Sequence, residues 1–149
     1  MALDRRTREN EPAEIRNMDT WAAYEVPRAR LLSRMRGLGN VVVLTGDEHQ
    51  NFAGLLHEGD RPVAVEFVAT SISSGGDGSN LRPGSDRILA NNPQLKFIND
   101  QRGYVTCELD RDEWRTHFMV MDRVSTPGGA ISRRATATVT RGTPDLAIA

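Results

Sequence analysis

Residues 1–18 show no apolar periodicity and are as polar as a linker, so they read as a loop or arm in front of the first patterned segment. From residue 19 to 38, Trp21, Tyr24, Leu31, Leu32 and Met35 recur at roughly helical spacing, with Arg28, Arg30, Arg34 and Arg36 on the other faces. That pattern predicts an amphipathic helix. Asp19 and Thr20 suit its N-cap, Pro27 should kink it or open its regular part, and Gly37 with Gly39 should end it. Residues 41–47 form a short unbroken run rich in β-branched side chains, which predicts a strand buried on both faces. Residues 52–58 and 62–70 predict two further strands joined at Glu58-Gly59-Asp60 as a hairpin. A loop of small residues follows at 71–80, then a short helix near 85–90 and a turn at Asn91-Asn92-Pro93. The last third predicts strands around 104–109, 114–124 and 135–140, consistent with an antiparallel sheet edge, and a frayed tail at 143–149. The patterned domain therefore spans 19–142.

Composition narrows the class. The chain has 149 residues, 38% hydrophobic and 26% charged, which fits one globular domain or one piece of a larger one. No apolar run approaches the ~20 residues a membrane-spanning helix needs, and the opening MALDRRTREN is not an export signal. With 19 basic and 20 acidic residues the net charge is -1, so no general positive field exists to hold nucleic acid. A single cysteine, Cys107, excludes an internal disulfide framework and a multi-thiolate zinc site. With only three histidines, His49, His57 and His117, a multi-histidine metal centre is disfavoured.

The sharpest chemical feature is Gly46-Asp47-Glu48-His49 at the end of the apolar strand. Side chains of an extended chain alternate, so Asp47 and His49 are expected to project to one side and Glu48 to the other. An oxygen and a nitrogen donor at a strand end suit a hard cation beside a transition metal. Taken alone, the tetrapeptide is also what a capping Asp beside a surface histidine looks like.

Longer stretches carry a resemblance over nearly the whole chain: MDTWAAYEVPRARLL, VVVLTGDEHQNFAGLL, VAVEFVATSISSGGDGSN and NNPQLKFINDQRGYVTCELDRDEWRTHFMVMDRV. In this order and spacing they resemble the C-terminal part of PhoD-like alkaline phosphatases, within the calcineurin-like metallophosphoesterase superfamily. The resemblance implies an α/β (α+β) fold, the second half of an αββα sandwich with a mixed, largely antiparallel sheet and an N-terminal helix. It implies a phosphomonoesterase or phosphodiesterase with a binuclear centre, iron beside calcium, that generates a hydroxide nucleophile and clamps the phosphate oxygens. It places Asp47 on the calcium-like ion and His49 on the iron-like ion, with Gln50 and Asn51 near the phosphate or satisfying loop backbone. The family's other ligands come from motifs upstream of the region matched, so the chain is expected to be a C-terminal portion of a longer enzyme. Its expected partners are a phosphoester substrate and either the missing half of the domain, which would face it with a second sheet, or another copy. Family members are usually exported. Ala22 and Ala23 stand where the family tends to carry Asp-Gly, Phe52 where Trp is usual, and Gln94 where His is frequent. A non-catalytic remnant or interaction module is the competing reading.

Other residues have simpler expectations. Cys107 shares a face with Val105 and Leu109 and reads as a buried small hydrophobe. His57 and His117 read as surface or packing histidines, the arginines after Pro27 as a solvated helix face, and Trp21, Tyr24, Trp114 and Phe118 as core. The Ser73–Gly78 segment suits an anion nest, the substrate entrance or a plain turn.

Overall fold

The computed structural model describes residues 1, 3–6 and 19–149; the rest of the predicted arm lies outside them. A short 3-10 turn, Trp21–Ala23, precedes helix α1 (Glu25–Met35). Tyr24 breaks the two apart and is itself the N-cap, without a side-chain cap bond, so Asp19 and Thr20 fall one turn too early for the role predicted. Pro27 sits in the first turn of α1, where a missing N–H costs nothing, and Gly37 beyond its end takes a left-handed φ of 79°. Only Leu32 and Met35 of the predicted apolar stripe are buried; Tyr24 and Leu31 are exposed, because α1 touches the sheet along one narrow edge.

Strands β1 (Val42–Thr45), β2 (Asn51–Glu58) and β3 (Arg61–Val68) follow, then helix α2 (Ser85–Asn91) and β4 (Leu95–Asn99). These strands form one sheet in the order β1-β3-β2-β4, with β1 parallel to β3 and the other pairs antiparallel. The hairpin closes through Gly59 and Asp60, Glu58 pairing with Arg61, and Gly59 supplies the positive φ of 58° that so tight a turn requires. A second, wholly antiparallel sheet contains β5 (Gly103–Leu109), β6 (Glu113–Met121), β7 (Ile131–Thr140) and β8 (Ala147–Ile148) in sequential order.

The sheets stack face to face over one core. Ala53, Leu55, Val65 and Phe67 from the first sheet meet Phe118, Ala135, Ala137 and Val139 from the second. Phe118 is completely buried, edge-on to Phe67 at 6.3 Å and tilted against Phe97 at 4.7 Å. Strand alternation sends Leu56, Ala64 and Val68 to the opposite face, where α1 covers one end through Leu32 and Met35 and α2 packs near the other through Ile88 and Leu89. The result is the mixed α/β sandwich expected, with a helical layer on the first sheet only among the described residues. No helix is long and apolar enough to cross a membrane among them.

Several expectations need correcting. β1 is an edge strand, not one buried on both faces: Val42 and Val43 pack, but Leu44 is 53% exposed because nothing covers the far end of the strand. A second sheet within the chain packs on the first, and among the described residues no helix covers the outer face of that second sheet. The tail is not frayed: Leu146 enters the core, and Ala149 exchanges backbone hydrogen bonds of 2.8 and 2.9 Å with Thr136. Cys107 is exposed although it shares the inward face with Val105, because it lies toward the end of edge strand β5, beyond the reach of the core. It should react with a disulfide reagent in the folded chain at a rate within about tenfold of a free thiol, checked by absorbance with and without denaturant. Protection until unfolding would contradict this placement.

Candidate functional site

The topology brings four chain segments to one end of the first sheet. β1 and β3 run parallel and finish there, β2 begins there, and β4, antiparallel to β2, finishes there as well. Residues 46–50, 69–80 and 100–102 therefore converge beyond the carboxyl ends of the strands, where α/β sheets commonly place ligands. Because β3 lies between β1 and β2, residues 46–50 must arch over its end in five residues. They do so with two non-glycine residues in the left-handed region, Asp47 at φ 71° and His49 at φ 55°. That conformation costs roughly 1–2 kcal/mol per residue, and Asp and His are among the side chains that tolerate it best.

The alternation argument for Asp47 and His49 therefore fails, since the strand ends at Thr45 and both residues lie in a curved loop. Asp47 is exposed and lines an open cavity of about 520 Å³ together with Trp21, Thr45, Glu48 and Glu66. Glu48, expected to point away, lines the same cavity and pairs with Arg5. His49 is half-buried on the other side of the loop, against Gly75: a Cβ built on that glycine would lie 3.6 Å from His49 Nδ1. No group of three or more His, Cys, Asp or Glu side chains converges to hold a metal ion among the described residues. Asp47 and His49 by themselves would be one oxygen and one nitrogen donor, a fit for part of a metal site and not for the whole of one.

The strain gives a test independent of activity. Asp47→Gly and His49→Gly should each raise unfolding stability by about 0.5–1 kcal/mol, the relief of the left-handed backbone outweighing the freer unfolded chain. Urea denaturation would show it; a loss of stability in both would mean that these residues hold the loop together.

Gln50 and Asn51 are both buried. The Asn51 amide donates to Asn99 Oδ1 at 3.2 Å and to the Gln101 carbonyl at 3.4 Å, and its oxygen accepts from the Thr70 backbone at 3.1 Å. Asn51 therefore ties together the ends of β2, β3 and β4.

Sequence reasoning passed over the buried charges of Glu66, Asp100 and Arg102. Glu66 on β3 lies in the cavity beside Asp47 and accepts a hydrogen bond from the Met1 amine. Arg102, just after β4, is completely buried and donates to the Ser74 carbonyl at 2.8 Å, to Ser71 Oγ at 3.3 Å and to Asp100 Oδ1 at 2.9 Å. The signal available was polarity where the apolar pattern paused, in Ile98-Asn99-Asp100-Gln101-Arg102, but only the fold shows that these groups face inward.

The small-residue loop is fastened at its far side too. Asp77 accepts from the Val124 and Ser125 backbones at 2.6 and 2.7 Å and from Ser125 Oγ at 2.7 Å, bridging to the β6–β7 connection. The Ser125 hydroxyl first, then these two N–H groups, hold the Asp77 carboxyl below its ordinary value of 3.8. Its folded pKa is depressed, so this latch stabilises the fold above the ordinary carboxylate range and is lost as pH falls through the folded value. The stability difference between wild type and Asp77→Asn should therefore be present at neutral pH, shrink as the pH falls below the ordinary carboxylate value, and be gone below the folded pKa. A difference that stays constant down to the acid transition would contradict the assignment.

Two facing sheets, a parallel edge strand and a strained Asp/His loop at the strand ends define an α/β sandwich built to present polar side chains at one rim. The PhoD-like phosphatase family model matches residues 1–118. The chain is 43% identical to alkaline phosphatase D of Bacillus subtilis (strain 168) over 128 residues, which cover 81% of this chain and 22% of that protein. A solved structure of PhoD superimposes with a TM-score of 0.83 at 40% identity, covering 89% of this chain and 27% of the other. The chain belongs to the PhoD-like phosphatase family, and it spans about a quarter of the length of the relatives it matches.

Proposed function

We propose that this chain is the C-terminal segment of a metal-dependent phosphoester hydrolase and contributes Asp47 and His49 to a binuclear site that upstream segments complete. The observation that carries this reading is the pair of left-handed donor residues at the strand ends of a chain that belongs to a phosphatase family. Strain of this kind persists where the surrounding structure holds it and is concentrated at functional sites. The Asp47 carboxylate suits a calcium-like ion and the His49 imidazole an iron-like ion. When bound, the metals supply positive charge to the phosphoryl oxygens and lower the pKa of an attacking water. The chain's own part is to fix two donors on a rim tied to the core through Asn51 and Arg102, so that little reorganisation remains when substrate arrives.

The test is metal content after complementation. The 149-residue chain is combined with the portion of Bacillus subtilis alkaline phosphatase D outside the matched region and separated by gel filtration. The reading predicts co-elution with bound iron and calcium, loss of iron in His49→Ala and loss of calcium in Asp47→Ala. Metal retention unchanged by both substitutions would overturn it.

A further inference from the structure

We infer that Arg102 is a positioning residue for His49, acting through the glycine loop close to both. The inference rests on the reading of His49 as a metal ligand for its functional meaning, but not for its geometry. His49 has a left-handed backbone, so its ring direction needs support from outside its own segment. That support is the 71–78 loop, whose Gly75 lies close to both side chains. A Cβ added there would stand 2.9 Å from Arg102 Nη1 and 3.6 Å from His49 Nδ1. At Gly78 a Cβ would stand 2.0 Å from the Asp100 carbonyl oxygen and 3.0 Å from Arg102 Nη2. Loop backbone is thus laid directly on the guanidinium, at two glycines with positive φ that no other residue would fill without displacement.

The guanidinium is held from both sides. Nη1 reaches Ser74 and Ser71 in the loop, and Nη2 reaches the carbonyl and carboxylate of Asp100 at the end of β4. Asp100 Oδ1 is held in turn by Arg82 at 2.7 Å. Nε has no hydrogen-bond partner among the described residues. Burying a guanidinium with one donor unsatisfied is costly, and a lysine could not span loop and strand end at once. The planar fork is what couples the β4 terminus to the loop that backs the histidine.

The experiment compares four variants of the full chain. Arg102→Lys keeps the charge and removes the fork. Gly75→Ala pushes a methyl against Arg102 and close to His49. Gly76→Ala imposes the same left-handed strain, at φ 75°, but its methyl meets nothing within 4 Å. His49→Ala identifies the His49 ring signals by their loss. The first readout is the imidazole nitrogen and proton resonances of metal-free, histidine-labelled protein; the second is cobalt(II) affinity by calorimetry. Arg102→Lys and Gly75→Ala should both shift the His49 ring signals and weaken cobalt(II) binding about tenfold, with Gly76→Ala as wild type in both. Unmoved ring signals in Gly75→Ala, or equal shifts in Gly75→Ala and Gly76→Ala, would overturn the inference, even if Arg102→Lys fails to fold. Cobalt(II) binding indifferent to His49→Ala would instead overturn the ligand reading, while the metal-free ring signals still decide the positioning claim.

Discussion

Replacing His49 by alanine in the complemented enzyme should lower turnover of a chromogenic phosphomonoester about a thousandfold, equivalent to about 4 kcal/mol of transition-state stabilisation. The size follows from what the side chain is asked to do. In the proposed site it is a metal donor, and removing a donor from a metal that carries the charge of the reaction would remove that charge and its placement together. Asp47→Ala should act in the same direction. Because Asp47 is exposed and His49 only half-buried, neither loss should be accompanied by a loss of fold. Circular dichroism on the same samples separates the two effects. A fall in activity that tracks unfolding would point to a structural role for the loop.

The second large effect concerns the core. Phe118→Ala should destabilise the chain by about 3–5 kcal/mol, a large share of the ~5–15 kcal/mol typical of a domain. Phe118 is completely buried where the two sheets meet, against Phe67 and Phe97, so its removal leaves a cavity that neither sheet can close without breaking register. The denaturation midpoint measures this directly. A cost below about 1 kcal/mol would mean that the sheets do not pack through this ring.

What the sequence showed and what it hid divide along a physical line. The β2–β3 hairpin was legible because apolar runs were separated by Gly59-Asp60, a local signal for a two-residue turn. The phenylalanine at the core centre was legible because an aromatic in a strand pattern has few other places to go. β4 was missed because Pro93 and Lys96 interrupt a five-residue strand whose identity comes from pairing with β2. The tail pairing at Ala147 was missed because a two-residue strand has no periodicity to read. β1 and Cys107 were misplaced for one reason: apolar or small character reports that a residue can be buried, while edge position in a sheet decides whether it is.

The site divides the same way. Asp47 and His49 were visible as residue types at a strand end, but their left-handed backbone arises from the need to cross the end of β3, which is a fact of strand order. Arg102 was invisible because a buried arginine looks like any surface arginine until the loop and strand end that enclose it are brought together. The contacts that tie the rim together are all of this long-range kind, including Asn51 to Thr70 and Asp77 to Ser125.

On the function proposed, the chain supplies essential donors to a phosphoester-hydrolysing site that it does not complete alone. The most direct measurement is hydrolysis of a chromogenic phosphomonoester and a phosphodiester, with iron and calcium supplied. The samples are the chain alone, the chain combined with the remainder of Bacillus subtilis alkaline phosphatase D, and the same combination carrying His49→Ala. The account predicts turnover only in the wild-type combination. Equal rates for wild type and His49→Ala, or full turnover by the chain alone, would contradict it.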